Sequence, residues 1–244
     1  MANNDILKQT QIVIPAGGSG QRFGENKLLY KINGTEVFIH TLKPFVKLFD
    51  DENIFIVVPE SDLLNFEAIT KKHFTENRIN FVIGGNSRAQ SVANGLDAGK
   101  NGKNFDYIMI HDAARPLITT KVINESLDEL VNSQKEFAGV VVAKKIVDTI
   151  KKVDENGCFI KTIDRSNLWA METPQVFILE KFKKAYKKVL AENVNLESFT
   201  DDAAIMAENN FKVEPFDNET INCKITYRHD LEMAEFLLGK YYGD

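Results

Sequence analysis

Short, almost wholly apolar runs alternate along this chain with longer stretches whose apolar positions fall three or four residues apart. "QIVIPA", "NIFIVVP", "INFVIGG", "DYIMIHDA" and "GVVVAKKI" are of the first kind. Their alternate residues do not turn polar, so each reads as a strand buried on both faces. Between them lie "EVFIHTLKPFVKLF", a helical spacing interrupted by Pro44, and "DLLNFEAITKKHF", a helix with Ser61 as its N-cap. "SRAQSVANGLDAG" and "KVINESLDELVNS" continue the series. Strands separated by helices predict an α/β fold, a mostly parallel sheet flanked by helices. Right-handed crossovers then bring the strand C-termini to one edge, where such folds bind ligands.

After "GVVVAKKI" the pattern changes. "VDTIKKVDENGCFIKTIDR" is two extended runs around Asn156-Gly157, a strong hairpin signal. Residues 147–165 are therefore expected to form an inserted β-hairpin arm that leaves the body and packs on a neighbour. The plainer alternative is an antiparallel addition to the same sheet. The α/β body resumes with "LEKFKKAYKKVL", "TDDAAIMAENN", the strand-like "FKVEPF" and the amphipathic "DLEMAEFLLGKYY". With no repeat, low-complexity segment or linker, residues 1–244 read as a single domain carrying an arm.

Charge narrows the function classes. Thirty Lys+Arg against 35 Asp+Glu give a net charge of −5, which disfavours bulk attraction to nucleic acid or an anionic membrane. Any anion site must be a local cluster of cations. Cys158 and Cys223 form no C-x-x-C pair, which fits a reducing compartment. Met1 to Lys8 is polar, without the apolar core of a signal peptide, and no apolar run approaches the ~20 residues that span a bilayer. A cytoplasmic protein is expected.

Four stretches at predicted strand ends carry candidate chemistry. The first, "IPAGGSGQRFGENK", fits neither common nucleotide loop: position 23 is Phe where G-x-G-x-x-G needs glycine, and no Gly-Lys-Ser/Thr follows. Its small residues Ala16, Gly17, Gly18 and Gly20 let backbone N–H groups approach an anion, and Arg22 and Lys27 add charge. A tight strand-to-helix turn explains the glycines equally well. In the second, "IGGNSRAQSV", Gly84-Gly85 ends a strand, Ser87 can cap the next helix, and Arg88 and Ser91 lie on its first turns. Alone it reads as a cap and a surface arginine. In "IHDAARP", Asp112 can bind a sugar hydroxyl or Mg²⁺, or simply pair with Arg115; His111 reads as structural rather than as a base. The fourth set comprises Thr149, Lys151, Asp164-Arg165, "ETPQVF" and "NCKIT". It supplies Arg165, Lys224 and threonine hydroxyls, which suit an anionic, polyhydroxylated substrate.

In order and spacing these stretches resemble the 2-C-methyl-D-erythritol 4-phosphate cytidylyltransferases of isoprenoid biosynthesis. "PAGGSGQRF" resembles that family's P-A-A-G-x-G-x-R-M, and "HDAARP" matches its signature. "DRSNLWAMETPQVF" resembles D-R-x-x-L-W-x-x-x-T-P-Q-x-F, "TDDAA" resembles T-D-E-A, and "NCKIT" resembles N-I-K-[VI]-T. The likeness runs from about Ile12 to Leu237.

The resemblance implies a Rossmann-like, GT-A-like nucleotidyltransferase fold, transfer of CMP from CTP to a polyol phosphate, release of pyrophosphate, and use of Mg²⁺. It places Ala16, Gly17, Gly18, Gly85, Asn86, Arg88 and Ser91 around the cytidine, and Asp112 near ribose and metal. Arg22, Lys27 and Lys224 fall to the triphosphate, with Lys224 at the α-phosphate. Thr149, Arg165, Thr173 and Thr226 line the polyol-phosphate pocket, Arg165 coming from the partner's arm in a homodimer. The sequence departs from the family at Asn26, where proline is usual before the loop lysine, and in a shorter segment between Arg22 and Lys27. Without that proline, the stretch from Gly20 to Lys27 is expected to be mobile in the free protein. Gly18 and Asn86 stand where alanine and aspartate are commoner. Three rivals remain: a ribitol-5-phosphate cytidylyltransferase, which "DAARP" and the D-R-x-x-L-W stretch disfavour; an NAD-dependent oxidoreductase, which Phe23 disfavours; and an inactive binding homologue.

Overall fold

The computed structural model of the chain describes residues 4–17, 26–76, 78–99, 103–192, 196 and 199–241. Its strands are β1 (Thr10–Pro15), β2 (Lys31–Ile32), β3 (Thr35–Glu36), β4 (Ile54–Val58), β5 (Asn80–Ile83), β6 (Tyr107–Ile110), β7 (Gly139–Lys145), β8 (Ile150–Val153), β9 (Phe159–Ile163), β10 (Trp169–Ile178) and β11 (Val213–Asp217). Its α-helices are α1 (Asn4–Lys8), α2 (Val37–Leu48), α3 (Leu63–His73), α4 (Arg88–Ala98), α5 (Thr120–Ser133), α6 (Leu179–Ala191), α7 (Asp202–Glu208) and α8 (Arg228–Tyr241). Seven strands form the central sheet in the order β11-β7-β10-β6-β1-β4-β5. All neighbours run parallel except β10, which is antiparallel to both β6 and β7.

Alternate residues of the apolar strands feed two separate cores. Ile12, Ile14, Ile54 and Ile56 face α2, α5 and α8, whereas Val13, Val57, Ile108 and Ile110 face α4, α6 and α7. A strand covered on both faces has no polar side, which is why the runs are continuous. On α4, a Cβ built at Gly95 would lie 2.6 Å from Val13 Cγ1, so only glycine lets the helix sit this close to β1.

Two local expectations need correction, and two features were not predicted. α2 runs straight through Pro44. The ~3 kcal/mol cost of an interior proline is outweighed by burial of Val37, Phe38, Ile39, Leu42 and Phe45, each contributing roughly 1.5–3 kcal/mol. Ser61 does not cap α3: it lies in the 3₁₀ turn Glu60–Asp62, and the N-cap is Asp62. Asn33-Gly34, with positive φ of 49° and 78°, closes the small β2–β3 hairpin that the apolar pattern did not reveal. "ETPQVF" belongs to β10, whose pairing with β7 shifts register between Met171 and Gln175, and the Thr173–Pro174 peptide is cis.

The segment around Asn156-Gly157 forms its own two-stranded sheet, β8 with β9, and does not extend the central one. The connection is longer than an Asn-Gly turn. Asp154 Oδ1 accepts from Asn156 N at 2.9 Å and Cys158 N at 2.8 Å, while Gly157 takes φ +80°.

Candidate active site

Parallel register brings the ends of β1, β4, β5 and β6 level: Pro15 pairs with Val57, Val58 with Ile83, and Val13 with Ile110. Because β10 runs the other way, its first half, with Glu172 and Thr173, arrives at the same edge. The loop after β11 adds Asn222 and Lys224. Three bonds fasten it there: Ile225 N to Ala114 O at 2.8 Å, Asn222 Nδ2 to Thr173 O at 2.7 Å, and Arg115 Nη1 to Asn222 O at 2.7 Å.

Asp112 is the centre of this edge. Its Oδ2 accepts from Lys224 Nζ at 2.8 Å and lies 3.7 Å from Arg115 Nε, while Oδ1 lies 3.4 Å from Arg88 Nε. Burial works to raise the pKa of the carboxyl, but Lys224, Arg88 and Arg115 outweigh it and hold Asp112 well below the usual range. Pairing with Arg115, one of the readings left open by the sequence, is thus real and is one of three such pairings. Asp112 N donates to Thr173 Oγ1 at 3.1 Å, and that hydroxyl also meets His111 Nδ1 at 3.0 Å. His111 is fully buried, and burial pushes its pKa down to about 3. A neutral imidazole packed 5.2 Å from the Phe45 ring is a structural element of the site.

Behind Asp112 the guanidinium of Arg88 reaches a second carboxylate, Asp202 Oδ2, at 2.7 Å. Burial opposes its charge, yet Asp202 and then Asp112 raise the Arg88 pKa further. Asp202 N and Ala203 N both donate to Gln175 Oε1 at 3.1 Å, tying the "TPQ" strand to α7. Asp202, Gln175, Asn222 and Tyr186 drew no role from the sequence. Three of them sit inside "TPQ", "TDDAA" and "NCKIT", but only tertiary contact shows what they hold.

Around β5, Ser91 fixes the turn: its Oγ accepts from Gly85 N at 3.1 Å and donates to Ser87 O at 2.9 Å, and Ser87 Oγ accepts from Gln90 N at 3.1 Å. A Cβ built on Gly85 would lie 2.1 Å from Gln90 Cγ, so this exposed position is held to glycine. Asn86 is exposed beside it. Ala16 is buried, with its N–H donating to Val57 O at 2.7 Å, and Gly17 is exposed.

Gly18 and Arg22 lie outside the described residues, as does the stretch from Gly20 to Glu25 for which mobility is expected. Beyond that stretch, Lys27 opens a 3₁₀ turn, and Asn26 supplies restraint of its own. Asn26 has φ −72°, close to proline's, its Oδ1 accepts from Leu28 N at 3.2 Å, and its Nδ2 donates to Asp62 Oδ2 at 2.9 Å. A capping side chain thus does at this position what a pyrrolidine ring does by covalent geometry.

The expected polyol-phosphate residues are not all gathered. Thr173 sits against Asp112. Thr226 is half-buried beside Asp230, to whose Oδ2 its N–H donates at 2.7 Å. Thr149 and Arg165 are exposed on the arm, and Arg165 donates to the Val147 carbonyl at the arm's own base. Among the described residues, no group of three or more His, Cys, Asp or Glu is placed to hold a metal ion.

The family model IspD, 2-C-methyl-D-erythritol 4-phosphate cytidylyltransferase, matches residues 10–240. A Prochlorococcus marinus protein of that name is 35% identical over 94% of this chain and 99% of its own. A Bacillus licheniformis protein of the same name is 36% identical over 93% and 95%. A crystal structure of the Francisella tularensis protein of that name superposes with a TM-score of 0.76 at 28% identity, covering 94% of this chain and 99% of that one.

Proposed function

The chain belongs to the IspD family, the 2-C-methyl-D-erythritol 4-phosphate cytidylyltransferases, and we propose that it makes 4-diphosphocytidyl-2-C-methyl-D-erythritol and pyrophosphate from CTP and 2-C-methyl-D-erythritol 4-phosphate, a step of isoprenoid precursor synthesis. The ribitol phosphate and dinucleotide readings give way to that membership. The observation that carries the reading is the cluster of Lys224, Arg88 and Arg115 around Asp112 at the sheet edge.

The nucleophile is an oxygen of a phosphate monoester, already anionic at neutral pH. It attacks the α-phosphorus of CTP, a P–O bond forms, the bond to the β-phosphate oxygen breaks, and pyrophosphate leaves. No proton has to be removed from the nucleophile, which agrees with a buried, neutral His111. What the chain supplies is position and charge. Lys224, 41% exposed at its side chain, has its ammonium at the mouth of the cluster, and Asp112 holds it there. Lys27 and Arg22 are assigned to the triphosphate, and the turn of Gly85, Asn86 and Ser91 to the cytosine side. Mg²⁺ is commonly held by one or two carboxylates together with substrate phosphates, and Asp112 fits as the single protein oxygen ligand in such a set. Held there, Mg²⁺ would neutralise charge on the phosphate oxygens.

The arm completes the reading. Val147, Phe159 and Ile160 are 77%, 77% and 55% exposed, an apolar strip suited to a second copy of the chain. A homodimer built this way brings Arg165 and Thr149 of one subunit to the polyol-phosphate pocket of the other. Gel filtration is expected to show a dimer at micromolar concentration; a monomer would remove Arg165 from the pocket. For the reaction itself, CTP labelled at the α-phosphate is expected to pass its label to the polyol product and leave pyrophosphate unlabelled. Label recovered as free CMP would replace transfer with hydrolysis. No helix among the described residues is long and apolar enough to cross a membrane.

A further inference from the structure

We propose that Asp202 and Tyr186, which lie behind the ligand-facing edge, are positioning residues for the nucleotide site that act through Arg88; this rests on the cytidylyltransferase reading of that site. Arg88 bridges two carboxylates of different character. Asp112 stands at the edge, with Lys224 on its other oxygen. Asp202 has no exposed surface. The distances decide which of them fixes the guanidinium: 2.7 Å from Nη1 to Asp202 against 3.4 Å from Nε to Asp112. The longer contact is a hydrogen bond, but the shorter ion pair, to a carboxylate with no exposed surface and no other compensating cation among the described residues, is the anchor.

Asp202 is itself fixed on three sides. Its backbone N–H reaches Gln175 and its Oδ1 accepts from the Tyr186 hydroxyl of α6, while its Oδ2 has no hydrogen-bond donor among the described residues and is compensated by the Arg88 ion pair alone. Tyr186 is fully buried, and burial together with Asp202 raises its pKa, so it remains a donor. A buried carboxylate compensated by one guanidinium holds that guanidinium in place, because separation would leave both charges uncompensated. The bridge therefore keeps Arg88 from closing fully onto Asp112 Oδ1, opposite Lys224 on Oδ2. When Asp202 loses its charge, the Arg88 contact with Asp112 Oδ1, 3.4 Å with the bridge in place, tightens, and the carboxylate turns from the orientation that suits the nucleotide.

The test is steady-state kinetics on wild type, Asp202→Asn, Tyr186→Phe, Arg88→Gln and the double variants Asp202→Asn/Arg88→Gln and Tyr186→Phe/Arg88→Gln, with denaturant unfolding of each. Asp202→Asn is expected to raise KM for CTP about tenfold while KM for the polyol phosphate stays within about twofold, a coupling ordinary for residues in one network. Tyr186→Phe is expected to give about a threefold rise, and neither change adds to Arg88→Gln. Additive effects, an equal rise in both KM values, or an unchanged KM for CTP in folded Asp202→Asn overturns the proposal. If Asp202→Asn does not fold, the Tyr186→Phe cycle with Arg88→Gln decides. A wild-type chain that does not use CTP sinks the cytidylyltransferase reading, and the unfolding cycle then decides whether the bridge exists.

Discussion

Lys224→Ala lowers kcat by about 10²–10³, the loss typical when one preorganised donor to developing charge is removed. The expectation follows from how the lysine is held. Its Nζ is 2.8 Å from a buried carboxylate, so the ammonium is in place before substrate arrives and needs no reorganisation at the moment of transfer. The fold should survive the change. Asp112 keeps Arg88 at 3.4 Å and Arg115 at 3.7 Å, and the side chain removed is 41% exposed. Thermal unfolding within a few degrees of wild type, together with the kinetic loss, separates chemistry from folding. Near-normal turnover would remove Lys224 from the reacting centre.

Asp112→Asn has its largest effect on stability, about 3 kcal/mol, because it leaves cations facing one another without their carboxylate. Lys224 can swing into water and Arg88 keeps Asp202 at 2.7 Å, so the cost falls chiefly on Arg115, whose side chain is 9% exposed. For a chain of this size that is a fall of about 6–12 °C in Tm. The sign with pH is fixed by the direction of the shift. The carboxyl of Asp112 is held below its ordinary value in the folded chain, so its contribution is complete above ~3.9, the unfolded value, and is lost as pH falls through the folded one. Wild type and variant should therefore differ fully at pH 7 and converge only in strong acid. Equal unfolding free energies at pH 7 would mean that the three cations do not depend on Asp112.

The parallel core was legible because strands covered on both faces must be apolar throughout, and "QIVIPA", "NIFIVVP" and "GVVVAKKI" are β1, β4 and β7. β10 was harder to see. Half of it is polar and it contains Pro174, which argues against a central strand, and the register shift beside that residue is a tertiary accommodation. α2 hid its length for the same kind of reason, since local propensity stops at Pro44 and only packing carries the helix past it. In the site, Asp112, Arg88, Ser91 and Lys224 could be picked out because each follows a strand end or sits in a compact motif. The bridge from Arg88 to Asp202 and Tyr186 could not: it joins α4, α7 and α6, and nothing in the local pattern distinguishes Asp202 from its neighbour Asp201, which caps the helix. Asn26 showed the limit of comparing residue types. The mobility expected from Gly20 to Lys27 falls mostly on residues outside those described; at Asn26 itself, the side chain that stands in place of proline caps Leu28 and bonds to Asp62.

Transfer of CMP from CTP to one polyol phosphate, with release of pyrophosphate, is the function proposed for this edge. Its most direct test is pyrophosphate release measured for the four nucleoside triphosphates against methylerythritol 4-phosphate, ribitol 5-phosphate and sugar 1-phosphates. Release confined to CTP with methylerythritol 4-phosphate is the predicted result. Equal release with ribitol 5-phosphate, or none with any pair, would contradict it.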